Sequence, residues 1–87
     1  GFDKNLTDNL HIFKNLTHLT SLPYPVLIGI SRKSMFEIAL SLKIEDRLIP
    51  SVSMATHCVY KGVKIVRTHD VQQTAPCLKF IELIKNS

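Results

Sequence analysis

Pro25-Val26-Leu27-Ile28-Gly29-Ile30-Ser31-Arg32-Lys33-Ser34 is an apolar run of strand length that stops abruptly in a basic, hydroxyl-rich turn. The layout returns at Val63-Lys64-Ile65-Val66-Arg67-Thr68-His69-Asp70. Val26 to Ile30 is apolar without alternation, the pattern of a parallel strand buried on both faces. Pro25 can open that strand, and Gly29 inside it predicts something packed close to the backbone. Helical periodicity lies between the two runs and after the second. Strands alternating with helices specify an α/β fold with a parallel sheet. Being consecutive, the two strands are expected as neighbours. Their C-terminal ends then share one mouth, the edge at which parallel α/β folds bind ligands. Cations at both ends make it a mouth for an anion.

Outward from the strands, the spacing of Leu6, Leu10, Ile12, Phe13, Leu16 and Leu19 predicts one helix, capped by Asn5 or Thr7. It should end near Ser21, because Pro23 and Pro25 forbid continuation. Ser34 is placed to cap a second helix over Met35 to Leu42. Lys43 to Asp46 reads as a polar link. Ser51, after Pro50, is expected to cap a third helix with Val52, Ala55, Val59 and Tyr60 on its inner side. Gly62 is a natural residue just past that helix. A strand over 63–68 follows, then a turn from His69 to Thr74. Pro76 predicts the first turn of a last helix. Leu78, Phe80, Ile81 and Ile84 are its expected buried side, and Lys85-Asn86-Ser87 should fray.

Composition narrows the function classes. The 87 residues are one small domain at most, and 45% of them are hydrophobic against 21% charged. That balance is ordinary for a globular chain and excludes whole-chain disorder. No apolar run approaches the roughly 20 residues of a membrane helix. The net charge of +4 comes from scattered residues apart from Arg32-Lys33, which favours a local anion site over a nucleic-acid stripe. Cys58 and Cys77 stand at no metal or redox spacing and read as reduced thiols of a cytoplasmic protein. Gly1-Phe2-Asp3-Lys4 has no signal-peptide layout and no Met starts the chain, so an excised or incomplete piece is expected.

Candidate chemistry falls at and around the two strand ends. Arg67 and His69 are two apart in an extended segment, so both should point to one side. A guanidinium fork and an imidazole together suit a diphosphate. The plainer reading pairs Arg67 with Asp70 on the surface and lets His69 cap a strand end. Ser34 with a helix N-terminus behind it is a carboxylate or phosphate site, and Lys33 can reach over the mouth. Here the plainer reading is a solvated basic turn and an ordinary cap. Arg32 should point away from Ser31 and Lys33. Phe2 is either an aromatic stacking on a flat ligand or a staple on the first helix. His11, His18 and His57 have no partner spacing and no metal role.

Three segments, in order, resemble dihydropteroate synthase. Gly1-Phe2-Asp3-Lys4 is similar to the end of that family's loop after its sixth strand. Pro25 to Ser34 resembles the seventh strand with its Ser-Arg-Lys-Ser signature, the most specific of the three. Ile65-Val66-Arg67-Thr68-His69-Asp70-Val71 resembles the eighth strand with its Arg-x-His-Asp signature. Arg47 and the helix from Ser51 to Gly62 also sit where the family has an Arg and an alanine-rich helix. The resemblance implies that residues 1–87 are the C-terminal two βα units of a (β/α)8 TIM-type barrel of about 250 residues, from the loop after strand 6 through helix 8. It implies condensation of p-aminobenzoate with 6-hydroxymethyl-7,8-dihydropterin diphosphate in folate biosynthesis, assisted by Mg²⁺ whose ligand lies in the missing N-terminal part. It assigns Lys33 to the pterin ring, Arg67 and His69 to the diphosphate, Ser34 and Arg32 to the benzoate carboxylate, and Phe2 to the benzoate ring. It places no catalytic and no metal-ligating side chain in this portion. The complete barrel is expected to be a homodimer that binds neither nucleic acid nor membrane. Two departures stand out: Glu37 replaces a usual Gly, and Pro50-Ser51 a usual Gly-Thr. Glu37 should put negative charge near the carboxylate site and weaken it.

Two other readings compete. One is an inactive remnant or split-gene fragment, since two parallel strands alone leave unpaired edges. The other is a small basic module binding phosphate or nucleic acid without catalysis.

Overall fold

The computed structural model describes residues 6–29 and 35–87. Helix α1 covers Leu6–Lys14 and α2 Leu16–Thr20; strand β1, Leu27–Gly29, follows. Helix α3 (Met35–Leu40), a 3₁₀ turn (Ile44–Asp46), α4 (Leu48–Tyr60), β2 (Ile65–Arg67) and α5 (Val71–Lys85) complete the order. The strands pair in parallel, with Leu27 opposite Ile65, Ile28 opposite Val66 and Gly29 opposite Arg67. The expected α/β order and strand neighbourhood are therefore present.

The core lies on one side of this two-stranded sheet. Leu16, Phe36, Ala55, Cys58 and Val63 form its buried centre, and Val26, Ile28 and Val66 pack against it from the strands. On the opposite face Leu27 is 56% exposed and Ile65 48% exposed. The expectation of strands buried on both faces is corrected: the described residues cover one face only. An unalternating apolar strand is half-bare because nothing among those residues lies over Leu27 and Ile65.

Several boundaries differ from the sequence expectation, each for a local reason. The first helix is two, parted at Asn15, whose side-chain amide donates to the His11 carbonyl at 2.8 Å. Such side chains compete with the helical ladder for backbone acceptors. Helix α3 stops at Leu40 because Ser41 turns left-handed, at φ 57°, and its N–H closes onto the Glu37 carbonyl at 2.7 Å. Helix α4 starts at Leu48 rather than after Ser51. Pro50 falls in its first turn, where a missing N–H costs nothing, and Ser51 is buried at 2% exposure.

Helix α5 begins at Val71, so Pro76 is inside it and not in its first turn. The start is set upstream of the proline. Asp70 N–H donates to Thr68 Oγ1 at 3.1 Å, and Thr74 N–H to the Asp70 carbonyl at 2.9 Å. Thr74 is itself buried. Thr74, Leu78, Ile81 and Lys85 fall at helical spacing on one face. Phe80 (63% exposed) and Ile84 (48%) lie off it, contrary to expectation, as does Tyr60 (54%) on α4. Lys85 does not fray: its ammonium donates to the Val59 carbonyl at 2.9 Å, near the C-terminus of α4. Gly62 matches expectation, at φ +107°. Thr20 Oγ1 donates to the neighbouring Lys61 carbonyl at 2.8 Å.

Candidate active site

The C-terminal ends of β1 and β2 carry the candidate site. Gly29 ends β1 and faces Arg67, which ends β2. A Cβ on Gly29 would stand 3.3 Å from Arg67 Nη2, 3.5 Å from Nε and 3.8 Å from Cζ. The guanidinium therefore lies flat across the glycine, on the same sheet face as Leu27 and Ile65. The close approach predicted at Gly29 is there, and its visitor is the cation expected at the mouth. Arg67 remains exposed, so the fork is offered to solvent over an apolar floor.

His69 is exposed too. The regular strand stops at Arg67 and the chain bends at His69, so strict two-residue alternation does not carry through to the imidazole. Asp70 is buried at 8% exposure and stands immediately before α5. It is thus not the surface partner that the plainer reading of Arg67 needed.

Phe2, Arg32, Lys33 and Ser34 lie outside the described residues, so the structure brings together only the Gly29–Arg67 half of the expected mouth. Helix α3, whose first turn holds Glu37, follows β1 in the chain and packs against α1. Glu37, in that turn, is engaged by Arg47: Nη2 lies 3.1 Å from Oε2. Arg47 Nε also donates to the Leu42 carbonyl at 3.1 Å. Sequence reasoning marked Arg47 by resemblance and Glu37 as a departure, but did not join them. Their ten-residue separation spans a helix end and a 3₁₀ turn, and no periodic pattern signals such a pair.

No group of three His, Cys, Asp or Glu among the described residues could hold a metal ion. Arg67 and His69 suit an anion and offer no oxygen ligand to Mg²⁺, so these residues do not fit a magnesium site by themselves. Cys58 is fully buried and burial pushes its thiol up to about 11. Cys77 is half-buried on α5. No helix among the described residues is long and apolar enough to cross a membrane.

Comparison with known proteins gives these ends a context. The sequence pattern of the family described as "Pterin binding enzyme" matches residues 1–69. The chain is 39% identical over 87 residues to dihydropteroate synthase of Haemophilus influenzae, covering all of this chain and 32% of that protein. Among solved structures, Yersinia pestis dihydropteroate synthase superposes with a TM-score of 0.91 at 34% identity, over 100% of this chain and 41% of that one. A dihydropteroate synthase from Coxiella burnetii, in complex with pteroic acid, superposes with a TM-score of 0.86 at 34% identity, over 97% and 31%. The chain thus spans about a third of the relatives it matches, and its two parallel strands with their helices are a portion of their TIM barrel.

Proposed function

Because the chain belongs to the pterin-binding enzyme family, we propose that it is the C-terminal portion of a dihydropteroate synthase, from the loop after strand 6 to helix 8, with β1 and β2 as strands 7 and 8. The complete protein condenses p-aminobenzoate with 6-hydroxymethyl-7,8-dihydropterin diphosphate in the cytoplasm, for folate biosynthesis. The observation that carries this reading is the Arg67 guanidinium laid across Gly29 at the joined strand ends. That arrangement suits a diphosphate, and the Coxiella relative's complex with pteroic acid fits the product side of the same reaction.

In the reaction the aniline nitrogen of p-aminobenzoate attacks the pterin methylene carbon. A C–N bond forms, the C–O bond to diphosphate breaks, the leaving oxygen takes the electron pair, and the nitrogen gives up one proton. Negative charge concentrates on that oxygen. Arg67 holds a fixed positive charge and a planar fork against it, which stabilises the departing group more than the bound substrate. His69 adds a ring N–H donor from the bend beyond β2. Lys33 holds the pterin ring, Ser34 and Arg32 take the benzoate carboxylate, and Phe2 packs against the benzoate ring. A Mg²⁺ ion, where bound, would supply countercharge to the diphosphate and would take its ligand from the N-terminal part of the barrel, not from these residues. The complete barrel is a homodimer.

Activity belongs to that complete barrel. The bare face over Leu27 and Ile65 favours the view that these 87 residues alone are inactive. The test is dihydropteroate formation by the complete protein beside Lys33→Ala and Arg67→Ala. Losing a charged hydrogen bond of roughly 1.5–3 kcal/mol lowers kcat/KM about 10- to 150-fold. Unchanged rates in both variants defeat the site assignment.

A further inference from the structure

We infer that Thr68 is a positioning residue for the diphosphate end of the site: its hydroxyl holds the bend that sets where His69 stands relative to Arg67. The inference rests on the function proposed above.

Three observations carry it. First, the strand ladder ends at Arg67, which pairs with Gly29, and His69 follows two residues later in a bend. Two residues of chain span at most about 7 Å, so the His69 backbone stays close to that of Arg67. Which way it turns is set by the local backbone, no longer by the sheet. Second, that backbone is closed by a side chain. Asp70 N–H donates to Thr68 Oγ1 at 3.1 Å, so the residues on either side of His69 are tied to each other across it. A Thr hydroxyl that takes the N–H two residues on makes a compact turn of its own. Third, the far side of the turn is anchored. The Asp70 carbonyl accepts the Thr74 N–H at 2.9 Å, and Thr74 is 2% exposed. Asp70 is buried, and its side chain makes no capping bond to α5. Its backbone does the joining, to Thr68 behind and to the first turn of α5 ahead. His69 is the exposed residue between these two ties. It is held in place and left open to solvent, as a side chain that meets a ligand must be.

Positioning of the imidazole and mere support of the fold predict different mutant patterns. Thr68→Val keeps the branched shape and deletes the acceptor; Thr68→Ser keeps the acceptor. Without the hydrogen bond the bend spends less time in its competent form, and KM for the pterin diphosphate rises as that fraction falls. In the complete protein, at saturating p-aminobenzoate, Thr68→Val should raise this KM about three- to tenfold. Thr68→Ser should stay close to the parent value, and KM for p-aminobenzoate should hold in both. In a His69→Ala background Thr68→Val should add nothing, because the hydroxyl acts through the imidazole. Should Thr68→Val fold poorly, Thr68→Ala against Thr68→Ser isolates the same oxygen, and the alanine variant should show the raised KM. An effect that persists in full without the imidazole means support of the fold only and overturns the inference. A KM unmoved by removal of the hydroxyl, or raised equally in Thr68→Ser, overturns it as well. A parent protein that forms no dihydropteroate takes down the proposed function and this inference together, whereas the other outcomes leave the function standing.

Discussion

Gly29 is the position where one added methyl separates folding from function. Its backbone lies outside the left-handed region, so an L-residue fits there without strain. The atoms a Cβ would meet all belong to the far end of Arg67, at 3.3, 3.5 and 3.8 Å. Alanine should therefore fold at least as well as glycine, gaining roughly 0.5–1 kcal/mol from the less flexible unfolded chain. The guanidinium must give way by a few tenths of an ångström, enough to spoil one of two parallel hydrogen bonds to a phosphate. Valine branches into the space that the guanidinium occupies and should lift it off the strand. Removing one charge-assisted hydrogen bond costs roughly 1.5–3 kcal/mol, or about 10- to 150-fold in affinity. The assay is KM for the pterin diphosphate in the complete protein, read beside a thermal melt. Gly29→Ala should raise KM several-fold while Tm holds or rises, and Gly29→Val should raise KM by the larger factor. In an Arg67→Ala background, Gly29→Ala should change KM no further, because the two act through one contact. A KM within about twofold of the parent in Gly29→Val, or an undiminished Gly29→Ala effect without Arg67, refutes the reasoning.

Native protein should lose one thiol, that of Cys77, to an alkylating reagent at pH 8, and both thiols in denaturant; early labelling of Cys58 would contradict its burial. Because burial raises the Cys58 thiol from 9.0 to about 11, the folded state keeps a proton that the unfolded state releases. Stability should then fall as pH rises from about 9 to about 11, a slope that Cys58→Ala removes. Ser41→Gly should raise the urea midpoint, since a left-handed non-glycine residue costs roughly 1–2 kcal/mol and glycine's extra freedom returns only about 0.5–1 of it. Gly62→Ala should cost about 1–2 kcal/mol of stability, read as a lower urea midpoint, because φ is +107° and the new Cβ would stand 3.1 Å from Thr20 Cβ.

The parts legible in the sequence are those set by local chemistry. Pro23 and Pro25 stop a helix and open a strand, Gly62 ends α4 by its φ, and Gly29 announced a close neighbour. The misread parts were decided by contacts far along the chain. Thr74 and Lys85 bracket the buried face of α5, and neither is apolar. The apolar pattern therefore picks out Leu78 and Ile81, which lie on the packed face, but adds Phe80 and Ile84, which do not, and passes over Thr74 and Lys85. Pro76 misled for the same reason: burial of Thr74 and the Thr68–Asp70 turn fix the helix start upstream. At the site, Arg67 was legible from its place at a strand end. The Arg47–Glu37 pair was not, because its geometry depends on the left-handed turn at Ser41 between them.

The unalternating apolar run Val26-Leu27-Ile28 and the half-bare strand β1 make sense together. A strand that had evolved to keep one face in water would alternate, as antiparallel edge strands do. Leu27 and Ile65, opposite one another in the register, are apolar at the positions where alternation would place polar residues. Those side chains are written for a covered face, and the relatives, of which this chain spans about a third, have the additional chain to form the cover. Arg67 stands on that same face at its C-terminal end, directly after the apolar pair. A cover that buried the whole face would strand the guanidinium without solvent, at a cost of several kcal/mol. A cover that closes over Leu27 and Ile65 and stops short of Gly29 leaves the Arg67 cation at the rim of an apolar chamber.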